Sequence, residues 1–339
     1  MSRSRYFPVL SPALVLIFSF VLSAQAEVTA TKSKDGKKVV IQIDGKPFAE
    51  YLTCSGLKPC VWPIIGPTGK PMTRAYPMAK LGKNEVNDHV HHRSLWFTHG
   101  TVIVDGKTYD FWSEKNGKKK KKGKKKEVKS SKTVHKGFTK ISSGEVAVVA
   151  TTNDWVGSDN KKTILKDERT LTFGTDGESR YIDFDITLTA QDKPVTFGDD
   201  KEGTMGIRVA GSLKPEAKMG GKMIDAQGDV DKAVWGKASP WIDVSGPVDG
   251  KGGETVGISM MNHPSSFRYP TTWHARTYGL CAANPFARSF FEHDKTKNGS
   301  YTIEPGKSIT FRYRFYFHKG DAKAAKVAEA FKKYSKEKK

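Results

Sequence analysis

The chain has 339 residues, 37% of them hydrophobic and 27% charged, with 32 glycines and 16 prolines. That composition excludes a polytopic membrane protein, a collagen-like chain and a wholly disordered one, and it supplies enough apolar material for a sizeable core. The formal net charge of +21 is uneven, because the tract from Lys115 to Lys129 holds ten lysines against one glutamate.

In chain order, the first 26 residues read as an export signal. Arg3 and Arg5 form a positive region, Val9 to Leu22 is mostly apolar, and Ala24-Gln25-Ala26 is a small-x-small cleavage pattern. The expected mature chain starts at Glu27 and is periplasmic or secreted, with no membrane span left after cleavage. Residues 27–339 then read as a single β-sandwich domain. Val39 to Ile43, Asp44-Gly45 and Pro47 to Leu52 form one hairpin signature. Thr101 to Val104, Asp105-Gly106 and Lys107 to Trp112 form a second. Further strands are expected at Val146 to Thr152, Lys166 to Phe173, Tyr181 to Thr189, Gly206 to Val209, Trp241 to Val244, Thr255 to Met261 and Ser308 to His318. In the last, Phe311, Tyr313, Phe315 and Phe317 alternate with Arg312, Arg314 and Tyr316, so one face is aromatic. Asp321 is an N-cap candidate for a C-terminal helix over 321–337. With no βαβ rhythm, the fold class is all-β: a large antiparallel sandwich, mutarotase-like or similar, with one C-terminal helix.

The Lys115–Lys129 tract interrupts this pattern as an insertion at 115–129. Like charges repel, so it is expected to be disordered; it is a solvated loop or a tether for an anionic polymer. It has no aromatic to stack on bases, so no specific nucleic acid is expected. Cys54, Cys60 and Cys281 are the only cysteines. Cys54 and Cys60 either bridge across a short loop or remain thiols.

Three clusters carry chemistry. In Asn87 to Gly100, four of the nine histidines fall within eleven residues. On an extended chain His89 and His91 share a face and His92 takes the other. Imidazole suits several divalent metals, so His89 and His91 are candidate ligands for one such ion, with Glu202, His263 or His274 completing the set. The alternatives are acid–base or substrate contact, and a structural role in a polar cleft. In Asp199 to Arg208, Glu202 is a candidate general base and Arg208 a clamp for substrate or carboxylate. In Asn262 to Gly279, Trp273 pairs a sugar-stacking ring with the titrating His274, and Arg276 follows. The structural alternative is a loop packed by its own aromatics.

Three runs, NDHVHHRSLWFTHGTVIVDGKTYDFW, DKEGTMGIRV and NHPSSFRYPTTWHARTYGLCAANPF, resemble in that order the exported bacterial family known as PmoA-like, or methane oxygenase PmoA. The resemblance runs from about Lys37 to about His318. It implies a soluble β-sandwich with a cleft lined by His91, His92, Glu202, Arg208, His274 and Arg276, and a place in sugar and polysaccharide catabolism. Genuine membrane methane monooxygenase activity needs an integral membrane subunit and is not expected. The leading expectation is a carbohydrate-active enzyme with His91, His92, Glu202 and His274 as acid–base groups. Trp96, Arg208, Trp273 and Arg276 would hold the sugar. The alternatives are a non-catalytic carbohydrate-binding protein and a mononuclear metal oxidoreductase.

Overall fold

The structure, a computed structural model, describes residues 26–114, 117–121, 124–128, 130–158 and 162–339. The expected signal segment lies outside these residues apart from Ala26.

Alternating apolar residues along the strands build two eight-stranded antiparallel sheets. The first runs, in spatial order, through Val28–Lys32, Lys38–Ile43, Lys46–Ser55, Lys58–Ile64, Leu95–His99, Gly203–Arg208, Leu280–Ala283 and Trp273–Arg276. The second runs through Lys132–Ser142, Ala147–Val156, Thr163–Asp176, Ser179–Ala190, Ser308–Lys319, Thr255–Asn262, Trp241–Pro247 and Lys222–Asp225. A smaller four-stranded sheet holds Tyr301–Ile303, Val195–Phe197, Val102–Val104 and Lys107–Tyr109. Both expected hairpins form, with Asp44-Gly45 and Asp105-Gly106 at positive φ in their two-residue turns.

The two large sheets close on one apolar core. Leu95, Phe97, Met205 and Ile207 of the first meet Trp155, Leu171, Phe184 and Phe311 of the second. The Phe97 and Phe311 ring centroids lie 5.4 Å apart. The aromatic face of the last strand is this core face: Phe311, Tyr313, Phe315 and Phe317 are all buried in it.

Two expectations change. Gly117–Lys121 and Lys124–Val128 pair antiparallel as a hairpin of their own, joined to neither large sheet, where charge density predicted disorder. In a two-stranded ribbon half of the backbone N–H and C=O groups pair across the strands and the other half face outward, where water can take them, so pairing needs no apolar burial. The rest of that tract lies outside the described residues. At the C-terminus Asp321 Oδ1 accepts the backbone N–H groups of Lys323 and Ala324, but this caps a turn. Lys326, at φ 52°, separates that turn from the helix, which is Val327–Tyr334 rather than 321–337. A second, four-residue helix spans Arg288–Phe291. Among the described residues no helix is long and apolar enough to cross a membrane. All three cysteines are thiols. Leu52, not Cys54, faces Cys60 across the hairpin, which leaves Cys54 exposed and Cys60 buried.

Candidate active site

The site lies on the face of the first sheet turned away from the core. Strand alternation sends Leu95, Phe97, Met205, Ile207, Cys281 and Ala283 inward. The alternate residues Trp96, Leu280 and Ala282 join Cys60 and Trp112 in a second apolar cluster, flanked by Leu52, Trp62 and Tyr278. Gly206 faces Trp96 across the strand pair, and a Cβ there would sit 2.7 Å from the indole. Its missing side chain lets Trp96 lie flat over the neighbouring strand.

Residues 88–92 fold over this floor as a turn, not a strand. The His92 N–H bonds the His89 carbonyl at 2.9 Å, and His89 takes φ 40°. The His92 imidazole is consequently sandwiched, 4.7 Å from His89 and 5.3 Å from Trp96, with interplanar angles of 10° and 20°. Tyr278 stacks on His89 at 5.2 Å and 13°. The edge-on rings of His91 and Trp112 lie 4.5 Å and 5.7 Å from His92. The turn overturns the extended-chain geometry expected for a His89–His91 metal pair. Among the described residues no group of three or more His, Cys, Asp or Glu could hold a metal ion.

Two buried arginines fix the turn. Arg74 Nη1 donates to Asp88 Oδ1 at 2.5 Å, and its Nη2 to the His89 and His92 carbonyls. Arg208 Nη1 lies 2.9 Å from His92 Nδ1, and its Nη2 3.2 Å from Asp88 Oδ1. A guanidinium only donates, so His92 Nδ1 accepts and the neutral imidazole carries its proton on Nε2. That Nε2 is buried with no hydrogen-bond partner among the described residues. Burial, then the neighbouring His91 and Arg208, hold His92 well below the usual imidazole range. Burial would raise Asp88, but Arg208, His89 and Arg74 outweigh it and keep the carboxylate below its ordinary value. Asp88 Oδ2 lies 2.9 Å from His89 Nδ1. An ionised carboxylate only accepts, so Nδ1 carries the proton and Nε2 of His89 is the nitrogen left to take one.

The Asp199–Glu202 segment is pinned by Asn284, whose side-chain amide donates to the Asp200 and Lys201 carbonyls. Glu202 is 33% exposed and lies against the Lys201 ammonium. The Tyr278 phenol ties the segments together. Burial raises it most, Glu202 and Asp88 push it further up, and Arg208 and Arg276 oppose them. The Arg208 guanidinium sits 4.5 Å over its ring. His274 stands on the edge strand and is 2% exposed. Neither of its ring nitrogens makes a well-formed hydrogen bond among the described residues. Burial, then Arg276 and Lys201, push it down to about 3. Arg276 is exposed, its guanidinium 5.6 Å over Trp235.

His92, Arg208 and Glu202 therefore share one face, with His274 and Arg276 at its edge. Two expected contacts are displaced. Trp273 points into the core, where its Nε1 donates to the Ser239 carbonyl at 2.9 Å, because its parity matches Ala275 rather than His274. Trp96 is fully buried beneath His92, so it is floor rather than a stacking platform. Sequence reasoning missed Asp88 and Tyr278, although both lie inside the motifs it singled out. It also missed Glu114, which pairs with Lys58 at 3.2 Å and with Arg93 at 2.6 Å beneath the Trp112 wall.

The family model that matches residues 38–332 is described as a family of unknown function, DUF6807. The chain belongs to that family. No curated protein matches it. Solved structures with a similar chain path include the α-galactosidase of Geobacillus stearothermophilus, at 8% identity and TM-score 0.39, covering 87% of this chain and 40% of that one. The galactosidase domain of an α-galactosidase–sucrose kinase matches at 9% identity and TM-score 0.39, covering 86% and 42%. A galactose mutarotase-like protein of Clostridium acetobutylicum matches at 10% identity and TM-score 0.39, covering 87% of this chain and 99% of that one. This DUF6807 chain thus spans about two fifths of the length of the two galactosidase structures.

Proposed function

We propose that this face is a carbohydrate site working by acid–base chemistry, in a protein exported to the periplasm or beyond, as the PmoA-like resemblance suggests. The observation that carries the reading is the Asp88–His89 couple stacked on Tyr278, with the Arg208 guanidinium over the same ring. A sugar offers an apolar ring face and a rim of hydroxyls. A half-buried Tyr278 beside carboxylate, imidazole and guanidinium groups matches both. Glu202 takes the role of base. His89 takes the role of acid through Nε2, the ring nitrogen that Asp88 does not engage. In anomer interconversion the base removes the O1 proton as the C1–O5 bond opens, and the acid protonates O5; closure runs the same transfers in reverse. His91 and His92 support His89 from below and beside it, and His274 stands at the site's edge.

A second reading is a non-catalytic carbohydrate-binding protein. It is favoured by the burial of His92 and His274, which are 1% and 2% exposed. One experiment separates the two. Sugars and oligosaccharides are screened for conversion by NMR, and wild type is compared with Glu202→Gln and His89→Gln at matched melting temperature. The catalytic reading expects a loss on the order of a hundredfold or more in each variant. Equal turnover in all three removes these residues from the chemistry. Binding without turnover in wild type selects the second reading.

A further inference from the structure

A cleft of about 540 Å³ opens beside the edge strand Trp273–Arg276, lined by Pro270, Thr272, Pro285 and Phe291, with Arg268 and Arg288 on its walls. It adjoins the site already described, because Phe291 packs 6.5 Å from the His274 ring. Arg268 is locked in place. Its Nη1 donates to the Pro285 and Gly299 carbonyls and its Nη2 to Ser300. Phe267, Phe286 and Tyr301 surround the guanidinium at 5.1–5.6 Å. Three carbonyls occupy three of its five N–H donors, which leaves two without an acceptor among the described residues. No carboxylate there lies within ion-pair distance of it. Arg288 gives its Nε to Glu292 at 2.6 Å and faces the same cleft. Two positive charges thus share a concave surface with Glu292, and the fixed one, Arg268, makes no ion pair among the described residues, although Asp199 acts on it from farther off.

We propose that this cleft is an anion subsite which takes the carboxylate of an acidic saccharide unit, farther along the chain whose other unit is held at Tyr278. The proposal rests on the carbohydrate reading and names its substrate class. A planar guanidinium with two open donors fits a carboxylate's two oxygens. Its fixed position means that little side-chain entropy is lost on binding. Pro270, Pro285 and Phe291 offer the apolar wall that a pyranose ring packs against. Burial lowers Arg268 from its ordinary value, with Arg288 adding to the fall and Tyr301 and Asp199 opposing it, and a bound anion would oppose it further.

The test is calorimetric titration of the full chain with an oligogalacturonate and with a neutral oligosaccharide of equal length, at low and high salt. The acidic ligand is expected to bind at least about tenfold more tightly than the neutral one at low salt. Arg268→Lys, which keeps the charge and loses the fork, should weaken it about tenfold. The exposed Arg288→Gln should weaken it several-fold, and Glu292→Gln, which frees Arg288, should strengthen it. Equal affinity for acidic and neutral ligands, or no change in any of the three variants, overturns the subsite and leaves the carbohydrate site standing. If neither saccharide binds, the carbohydrate reading fails and takes the subsite with it; if only the neutral one binds, the subsite alone fails.

Discussion

Arg208 spans the two halves of the site, reaching His92 Nδ1 with one nitrogen and Asp88 with the other. It holds one group neutral and the other ionised. Arg208→Met should therefore move His92 up toward the usual imidazole range, because one positive neighbour is lost while burial remains. A histidine NMR titration of the variant reads this directly. An unmoved His92 resonance would show that burial and the other neighbours, His91 first, depress it without Arg208.

Lys58 and Arg93 both depend on Glu114 beneath the Trp112 wall. The Lys58 side chain is 1% exposed, so the ion triad is almost dry. Breaking a buried pair leaves a charge without compensation, at a cost of about 3–5 kcal/mol. Glu114→Gln should lose stability of that order in a urea melt. It should also loosen Trp112 and, through it, the His92 stack. A change under about 1 kcal/mol would mean that water reaches the pair.

The sandwich was legible because strand alternation is a short-range signal: the Phe311–Phe317 pattern and the Asp44-Gly45 and Asp105-Gly106 turns each specify their own geometry. The motifs that meet at the site were legible as composition. Their roles were not, because each role depends on a partner distant in sequence. Asp88 matters through Arg208, 120 residues away, and through Arg74. Trp273 loses its expected sugar-stacking role on a question of parity, while His274 keeps the side turned away from the core. Which neighbour faces the core is set by how the edge strand pairs with Leu280–Ala283, and the local sequence does not encode that pairing. His89 was misplaced because its positive φ turns the chain where an extended segment was assumed.

His274 predicts a loss of stability in acid. Burial, Arg276 and Lys201 hold it at about 3, whereas the unfolded imidazole titrates near its ordinary value of 6.5. Between those values the unfolded chain takes up a proton that the folded chain refuses. Stability from this group is thus complete above about pH 6.5 and drains away as pH falls toward 3. His92 acts in the same direction. His274→Gln should flatten this part of the stability–pH curve, measured by urea melts at about pH 7 and about pH 4.5. Parallel curves for variant and wild type would show that His274 is hydrated in solution.

Asp185 predicts the opposite slope. It lies on Ser179–Ala190, on the face of the second sheet away from the core, opposite Arg312. Its Oδ1 is buried without a hydrogen-bond partner among the described residues. Burial pushes it up to about 6, with Asp183 and Glu337 adding to the rise and Lys339 and Arg312 opposing it. Below its unfolded value of 3.8 both states hold the proton, and the group contributes no difference. From there to about 6 the unfolded chain ionises first, so stability falls as pH rises. Above about 6 the full penalty persists, on the order of 2–3 kcal/mol as an upper bound. Asp185→Asn keeps the shape and removes the charge. It should raise the urea midpoint at about pH 7.5 and leave it nearly unchanged at about pH 4. The reverse ordering, with the variant weaker at about pH 7.5, would mean that the ionised carboxylate is paired with Lys339 or Arg312 strongly enough to outweigh its burial.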